Sequence, residues 1–151
     1  MNIVLISIGK KHDTEFLSAI DMYTKRMNRF AYCQWHLIPD SGIGPAGASK
    51  EAALVREKLT PKDTVIVLDE KGTALTSAQL SYKITESVPP GNRLVFVIGG
   101  AYGIDSALKN SADFVWSLGS LTFPHQLVRI ILAEQIYRAF AIANNLPYHH
   151  A

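Results

Sequence analysis

The chain has 151 residues, 48% of them hydrophobic and 19% charged, with a formal net charge of +2. This length suits a single domain, 1–151, with a sizeable core, and no apolar run approaches the ~20 residues that cross a bilayer. Cys33 is the one cysteine, which excludes an internal disulfide and a cysteine-based metal cluster. The opening MNIVLISIGKKHD is apolar first and basic after, the reverse of a secretory signal. We therefore expect a cytoplasmic protein with no metal ion and no membrane partner.

Short β-rich segments alternate with segments of helical spacing along the whole chain. VIVL and LVFVI are continuously apolar, which is typical of parallel strands covered by helices on both faces. The alternation predicts an α/β fold with a mostly parallel sheet and helices on both faces. DSGIGPAGAS (40–49) is glycine-rich and is predicted to be a flexible surface loop. The predicted strands are 2–8, 34–38, 64–70, 93–99 and 113–118, and the predicted helices are 14–30, 49–59, 77–87, 105–110 and 124–144.

The last predicted helix is apolar around almost its whole circumference. Within it, Glu134 and Arg138 are four residues apart and can pair on one face. A helix that is apolar on all sides must be buried on several of them. In a chain this small we expect the second cover to be another copy, so the sequence predicts a homodimer. A deep core helix in a monomer is the alternative.

Three segments that follow predicted strands are rich in glycine and small residues: LDEKG (68–72), IGGAYG (98–103) and SLGSLTFPHQ (117–126). Ligands of open α/β sheets bind beyond the carboxyl ends of the strands. Because Gly99 and Gly100 have no Cβ atoms, a ligand could approach the backbone closely at these two positions. Asp69 and Glu70 could pair for acid–base chemistry or be solvated, and His125 could be a structural residue of a first helical turn. The residues alone indicate a cleft for a nucleoside-sized ligand, which a flavodoxin-like binding module would also provide.

Taken in order, these segments and the terminal PYHH closely resemble the bacterial ribosomal large subunit methyltransferase H family. The string TFPHQLVR, followed by EQ and YRAF, carries most of the resemblance. It implies a SPOUT-class methyltransferase whose carboxyl-terminal segment forms a trefoil α/β knot. It also implies a homodimer that uses S-adenosylmethionine to methylate N3 of a pseudouridine in 23S rRNA.

Carried over by position, the resemblance implies a donor site in which backbone groups and apolar contacts with the adenine dominate. Many relatives carry proline or serine after the two glycines, where this chain has Ala101 and Tyr102. This difference leaves the glycines intact. The implied donor-binding residues are Leu68, Gly100, Gly119, Ser120, Leu121, Thr122, Phe123 and Pro124.

The resemblance also assigns a function to the tail. Tyr148 and His149 are expected to position the substrate and remove its proton, with Arg138 contacting the RNA or orienting the target base. His149 is the expected base and Tyr148 its stacking or hydrogen-bonding partner, although the opposite division or a water molecule would also serve. The low charge indicates recognition of an assembled ribosome rather than free RNA. The rival function is a non-catalytic nucleotide- or ribosome-binding module. Candidate phosphate contacts are Lys10, Lys11, Lys25, Arg26 and Arg29.

Overall fold

A computed structural model describes residues 1–150 and contains ten helices and strands within them. Five strands form one sheet in the order β2-β1-β4-β3-β5, and every pair is parallel. The predicted α/β class and parallel sheet are therefore confirmed. The elements are β1 Asn2–Ile8, α1 Thr14–Met27, β2 Tyr32–Ile38, α2 Gly44–Arg56, β3 Thr64–Ala74, α3 Ser77–Glu86, β4 Arg93–Ile98, α4 Ser106–Ser111, β5 Phe114–Ser117 and α5 His125–Ala143.

Helices cover both faces of the sheet, as the continuously apolar strands predict. Alternate residues of β4 point to opposite sides, so Phe96 packs in one cluster and Val95 in the other. The first cluster includes residues of α1, α3 and α5, and the second includes residues of α2 and α4. The trefoil threading that the resemblance implies stays a prediction.

Two local expectations were wrong. The segment 40–49 is not a loop throughout, because α2 begins at Gly44 with Pro45 in its first turn. A Cβ on Gly47 would lie 2.4 Å from the Gly42 carbonyl oxygen, and Gly42 and Gly44 have positive φ angles, so the glycines define this segment instead of loosening it. The expected loop LDEKG lies within β3, where pairing with β5 shifts register between Leu68 and Thr73.

The last helix is covered on one side by its own chain. Leu132, Ala133 and Ile136 are fully buried in the first core cluster, between the sheet and the neighbouring helices α1 and α3. The opposite side keeps Leu127, Ile131 and other apolar residues only half-buried. A monomer core therefore accounts for part of the apolar circumference. No helix among residues 1–150 is both long and apolar enough to span a membrane.

Candidate active site

A cleft of about 820 Å³ opens beyond the carboxyl ends of β3, β4 and β5. Its lining combines glycines and apolar residues with four charged ones, Asp69, Glu70, Lys71 and Lys109. Seven of the eight residues predicted to bind a donor line it, and Ser120 does not. Those seven are Leu68, Gly100, Gly119, Leu121, Thr122, Phe123 and Pro124.

The turn after β4 needs its glycines for its own packing. A Cβ on Gly99 would lie 2.6 Å from Ile104 Cγ1, and one on Gly100 would lie 3.1 Å from Ile8 Cγ2. The Gly103 N–H donates to the Gly100 carbonyl at 3.1 Å and closes the turn. The close approach seen at these glycines is therefore to protein atoms. Their small size fixes the shape of this wall of the cleft.

The acidic residues at the cleft already have partners. Asp69 forms an ion pair with Lys109, with Nζ 3.1 Å from Oδ2, and Glu70 accepts a hydrogen bond from the Thr122 hydroxyl at 3.0 Å. These contacts join the walls of the cleft formed by β3, α4 and the segment after β5. Their geometry favours a structural function over acid–base chemistry.

Trp116, which lines the cleft, has a buried polar atom without a hydrogen-bond partner in the described part of the chain. The residue is 3% exposed and lines the cleft, and its indole Nε1 is buried with no hydrogen-bond partner among residues 1–150. Buried donors are nearly always paired in folded proteins, so an unpaired one needs an explanation. Together with the backbone lining, this atom suits a nucleoside ligand, whose ring nitrogens and hydroxyls are hydrogen-bond acceptors.

A second group of polar and aromatic side chains lies at the other end of α5. We call Glu134, Tyr137, Arg138, Tyr148 and His149 the tail cluster. Glu134 accepts hydrogen bonds from Arg138 Nε at 2.9 Å and from the Tyr148 hydroxyl at 2.9 Å, which confirms the predicted Glu134–Arg138 pair. The Arg138 guanidinium stacks 4.7 Å above the Tyr148 ring, and Tyr137 meets that ring edge-on at 4.7 Å. The terminal segment is thus fixed against α5.

Hydrogen bonds in the tail cluster constrain its proton chemistry. Burial and the neighbouring Tyr23 and Glu134 raise the pKa of the Tyr148 phenol, so it stays protonated at neutral pH and cannot accept a proton. Arg138 Nη1 lies 3.3 Å from His149 Nδ1. Because a guanidinium only donates, Nδ1 must accept in this contact, and the neutral ring then carries its proton on Nε2. In this tautomer the other ring nitrogen of His149 is a hydrogen-bond donor.

The cleft and the tail cluster are separate within one protomer. Tyr148, His149 and Arg138 are absent from the lining of the cleft. Arg138 follows His125, which does line the cleft, by thirteen residues, or about 20 Å along a helix. The three predicted catalytic residues therefore lie together, but apart from the predicted donor-binding residues.

Sequence reasoning missed Arg129, which is fully buried. Its guanidinium donates to the Ser7 hydroxyl at 2.8 Å and to the carbonyls of Ile8 at 2.8 Å and Lys11 at 2.7 Å. No carboxylate lies within ion-pair distance among residues 1–150, and burial lowers the pKa of Arg129. An arginine within the apolar string LVRII was the available signal. Arg129 fixes the segment after β1 against the start of α5.

The predicted phosphate contacts lie on the surface. Lys10, Lys11, Lys25 and Arg29 are exposed, whereas Arg26 is half-buried. The Arg26 guanidinium lies 5.5 Å from the ring of Tyr137, so it borders the tail cluster. Charge therefore extends from the tail cluster onto α1.

The family model described as "Predicted SPOUT methyltransferase" matches residues 1–149. Proteins named ribosomal RNA large subunit methyltransferase H are 42% identical in Parabacteroides distasonis and 39% identical in Acetivibrio thermocellus. Each comparison covers 99% of both chains. A solved structure, a probable methylase family protein from Haemophilus influenzae, shares the fold with a TM-score of 0.57 and 13% identity. It matches 95% of this chain and 66% of its own length. The chain belongs to the SPOUT methyltransferase family.

Proposed function

We propose that this protein methylates N3 of a pseudouridine in large-subunit (23S) rRNA, with S-adenosylmethionine as the methyl donor and the assembled ribosome as the substrate. The observation that carries the proposal is the cleft, since seven of eight residues implied by the resemblance line it. The relatives named ribosomal RNA large subunit methyltransferase H support the class of substrate.

The residues of the cleft fit the donor. Backbone groups of Gly100 and Gly119 and the apolar sides of Leu68, Leu121 and Phe123 suit an adenine and a ribose. The unpaired Trp116 Nε1 is a further polar group that a nucleoside could satisfy. The donor supplies an electrophilic methyl group whose sulfur leaves as a neutral thioether, so the leaving group needs no protein acid.

The difficult part of the reaction is the nucleophile. N3 of a pseudouridine is protonated at neutral pH, so the protein must align the base and help to remove this proton. Alignment can contribute about 7–11 kcal/mol in the best cases. The tail cluster supplies suitable groups: the Arg138 guanidinium and the His149 Nε2–H can donate to the two ring carbonyls that flank N3, and the Tyr148 ring can stack.

We propose that the two groups of residues meet in a homodimer. The half-buried stripe of α5 includes Leu127, Ile131, Glu134 and Arg138, and it runs from the cleft to the tail cluster. A two-fold interface is self-complementary, so antiparallel packing of two such stripes would set the tail cluster of one protomer against the cleft of the other. It would also cover the apolar residues that the monomer leaves half-buried. Each active site would then use both copies.

Few basic residues are available to hold RNA by charge alone. With a net charge of +2 the protein can neutralise few phosphates, so free RNA would bind weakly at physiological salt. An assembled ribosome adds shape and several separated contacts. Lys10, Lys11, Lys25, Arg26 and Arg29 are the proposed phosphate contacts on this surface.

A non-catalytic nucleotide- or ribosome-binding module is the second candidate, and the paired tail cluster argues against it. Labelled methyl transfer to ribosomes that lack the modification distinguishes the two, with free rRNA as the comparison. We expect label in ribosomal RNA, mapped by mass spectrometry to N3 of one pseudouridine, and little label in free rRNA. Donor binding without label in either sample would favour the binding module.

A further inference from the structure

Among the described residues, His125 is the one histidine that lines the cleft, and no side chain or backbone group hydrogen-bonds to its ring. It lies in the first turn of α5 and lines the cleft beside Pro124. Among residues 1–150, neither of its ring nitrogens makes a hydrogen bond, although the ring is half-buried. The other histidines beside an arginine, His12 and His149, each face a guanidinium through Nδ1. His125 therefore has a free lone pair where a ligand would lie.

The fully buried Arg129 holds the surroundings of His125 in place. It follows His125 by one helical turn and binds the carbonyl oxygens of Ile8 and Gly9 at 2.8 and 3.2 Å. Gly9 has φ +113°, and a Cβ there would lie 2.8 Å from Arg129 Nη2 and 3.5 Å from His125 Nε2. Glycine is thus required for the end of β1 to pass beneath the imidazole.

Charges around His125 keep its lone pair available. Burial and, secondarily, Arg129 lower the pKa of the imidazole, while Asp13 and Asp40 act in the opposite direction. A His with a pKa below its usual 6.5 is neutral at physiological pH. This charge state is what a proton acceptor needs.

The residues of the tail cluster are less suited to that step. The Tyr148 hydroxyl donates to Glu134, and His149 Nδ1 already accepts from Arg138. Both side chains are therefore arranged to donate hydrogen bonds or to stack. The Glu134 carboxylate already accepts from Arg138 and Tyr148, so no group of the tail cluster is left free to remove the proton.

We propose that His125 is a further catalytic residue, which accepts the N3 proton of the target base in the cleft. The inference rests on the proposed function. N3 forms a bond to the methyl carbon as the carbon–sulfur bond breaks. The bonding electrons remain on the sulfur, and the N3 proton moves to a ring nitrogen of His125. Tyr148, His149 and Arg138 of the tail cluster then orient the base, and His125 takes its proton.

The test uses His125→Gln and His125→Asn, which keep a polar side chain without a base, with His36→Gln as the matched control. His36 lies on β2 away from the cleft, and burial also lowers its pKa. Calorimetry measures S-adenosylmethionine binding, and single-turnover methyl transfer to unmodified ribosomes is followed from pH 5 to 9. Two variants are used so that a folding defect in one does not decide the result.

We expect both His125 variants to bind the donor within three-fold of wild type and to transfer methyl about 100- to 1,000-fold more slowly at pH 7. The wild-type rate should fall only below the lowered pKa of His125, whereas the variant rates should keep rising with pH. His36→Gln should match wild type. A variant rate within three-fold of wild type, an unchanged acid limb, or a loss of donor affinity equal to the loss of rate would overturn the inference. An inactive wild type would overturn the proposed function as well.

Discussion

The cleft and the tail cluster consist of different chemical groups, although one helix, α5, connects them. The cleft uses backbone groups, glycines and apolar side chains at the ends of parallel strands. The tail cluster uses a carboxylate, a guanidinium and aromatic rings that hydrogen-bond and stack with one another. A neutral, shaped cleft suits a nucleoside donor, whereas directional polar groups suit a base that must be oriented. The difference indicates a division between donor binding and substrate handling.

The strongest test of this division is removal of the tail. Deleting Pro147–Ala151 removes Tyr148 and His149 but none of the residues that line the cleft. We expect methyl transfer to fall by at least about 1,000-fold, because both orientation and hydrogen bonding of the base are lost. Donor affinity, measured by calorimetry, should stay within a few-fold of wild type. Transfer at a comparable rate would refute a catalytic function for the tail.

Gly99→Ala, in contrast to the tail deletion, is expected to weaken donor binding and to leave the tail cluster unchanged. The new Cβ would lie 2.6 Å from Ile104 Cγ1 and 3.0 Å from the Gly103 backbone, so the turn must move. Overpacking of this kind costs about 1–3 kcal/mol, and if donor binding bears that cost it weakens by about 5- to 150-fold. Ala107→Ser, at an exposed position of α4 that does not line the cleft, is the control. Unchanged donor affinity in Gly99→Ala would show that the turn does not shape the donor site.

Two arginines of α5, Arg129 and Arg138, are expected to differ in their contributions to stability and to methyl transfer. Arg129→Met leaves the buried carbonyls of Ile8 and Lys11 without donors, so we expect the free energy of unfolding to fall by about 2–4 kcal/mol. Arg138→Met breaks a partly exposed pair with Glu134 and should cost under about 1 kcal/mol. Methyl transfer should nevertheless fall more than ten-fold in Arg138→Met. Chemical denaturation measures the two losses of stability, and the methyl-transfer assay measures the rates. A larger loss of stability in Arg138→Met than in Arg129→Met would contradict this prediction.

The smallest expected effect concerns the two tryptophans. Trp116→Phe removes an unpaired N–H and should change stability by under about 1 kcal/mol. Trp35→Phe removes a donor that binds the Thr24 hydroxyl at 3.0 Å and should cost about 1 kcal/mol more. Donor affinity should fall three- to ten-fold only in Trp116→Phe, as for one lost hydrogen bond. A larger loss of stability in Trp116→Phe would mean that its indole nitrogen has a partner.

Much of the fold follows from local patterns in the sequence. Continuously apolar VIVL and LVFVI predict buried parallel strands, and the spacing between them predicts helices on both faces. The prediction for segment 40–49 was wrong because Gly47 is required by close packing and Gly42 and Gly44 by positive φ angles, which composition does not reveal. Likewise, LDEKG has the composition of a loop, but β5 pairs with β3 on both sides of it.

The site was predicted less completely, and for a different reason. The resemblance named seven residues that line the cleft and one, Ser120, that does not, and it grouped Arg138 with Tyr148 and His149. Arg129 was missed because its contacts are with carbonyls of a segment more than 100 residues away. The sequence also did not show that the His125 ring lacks hydrogen-bond partners, because spacing along the chain does not reveal which polar atoms stay unpaired.

The central claim is that a cleft of one protomer works with the tail cluster of the other, and mixing two variants, one impaired in the tail and one in the cleft, tests it most directly. The tail deletion keeps the cleft, and Gly99→Ala keeps the tail. Equal amounts, co-expressed so that chains pair at random, would make half of the dimers mixed, each with one complete site. At a donor concentration below the wild-type Kd, we therefore predict about a quarter of wild-type methyl transfer from the mixture, with almost none from the tail deletion alone and the reduced rate set by its weaker donor binding from Gly99→Ala alone. No recovery in dimers shown to be mixed would mean that cleft and tail act within one chain, and would contradict the account.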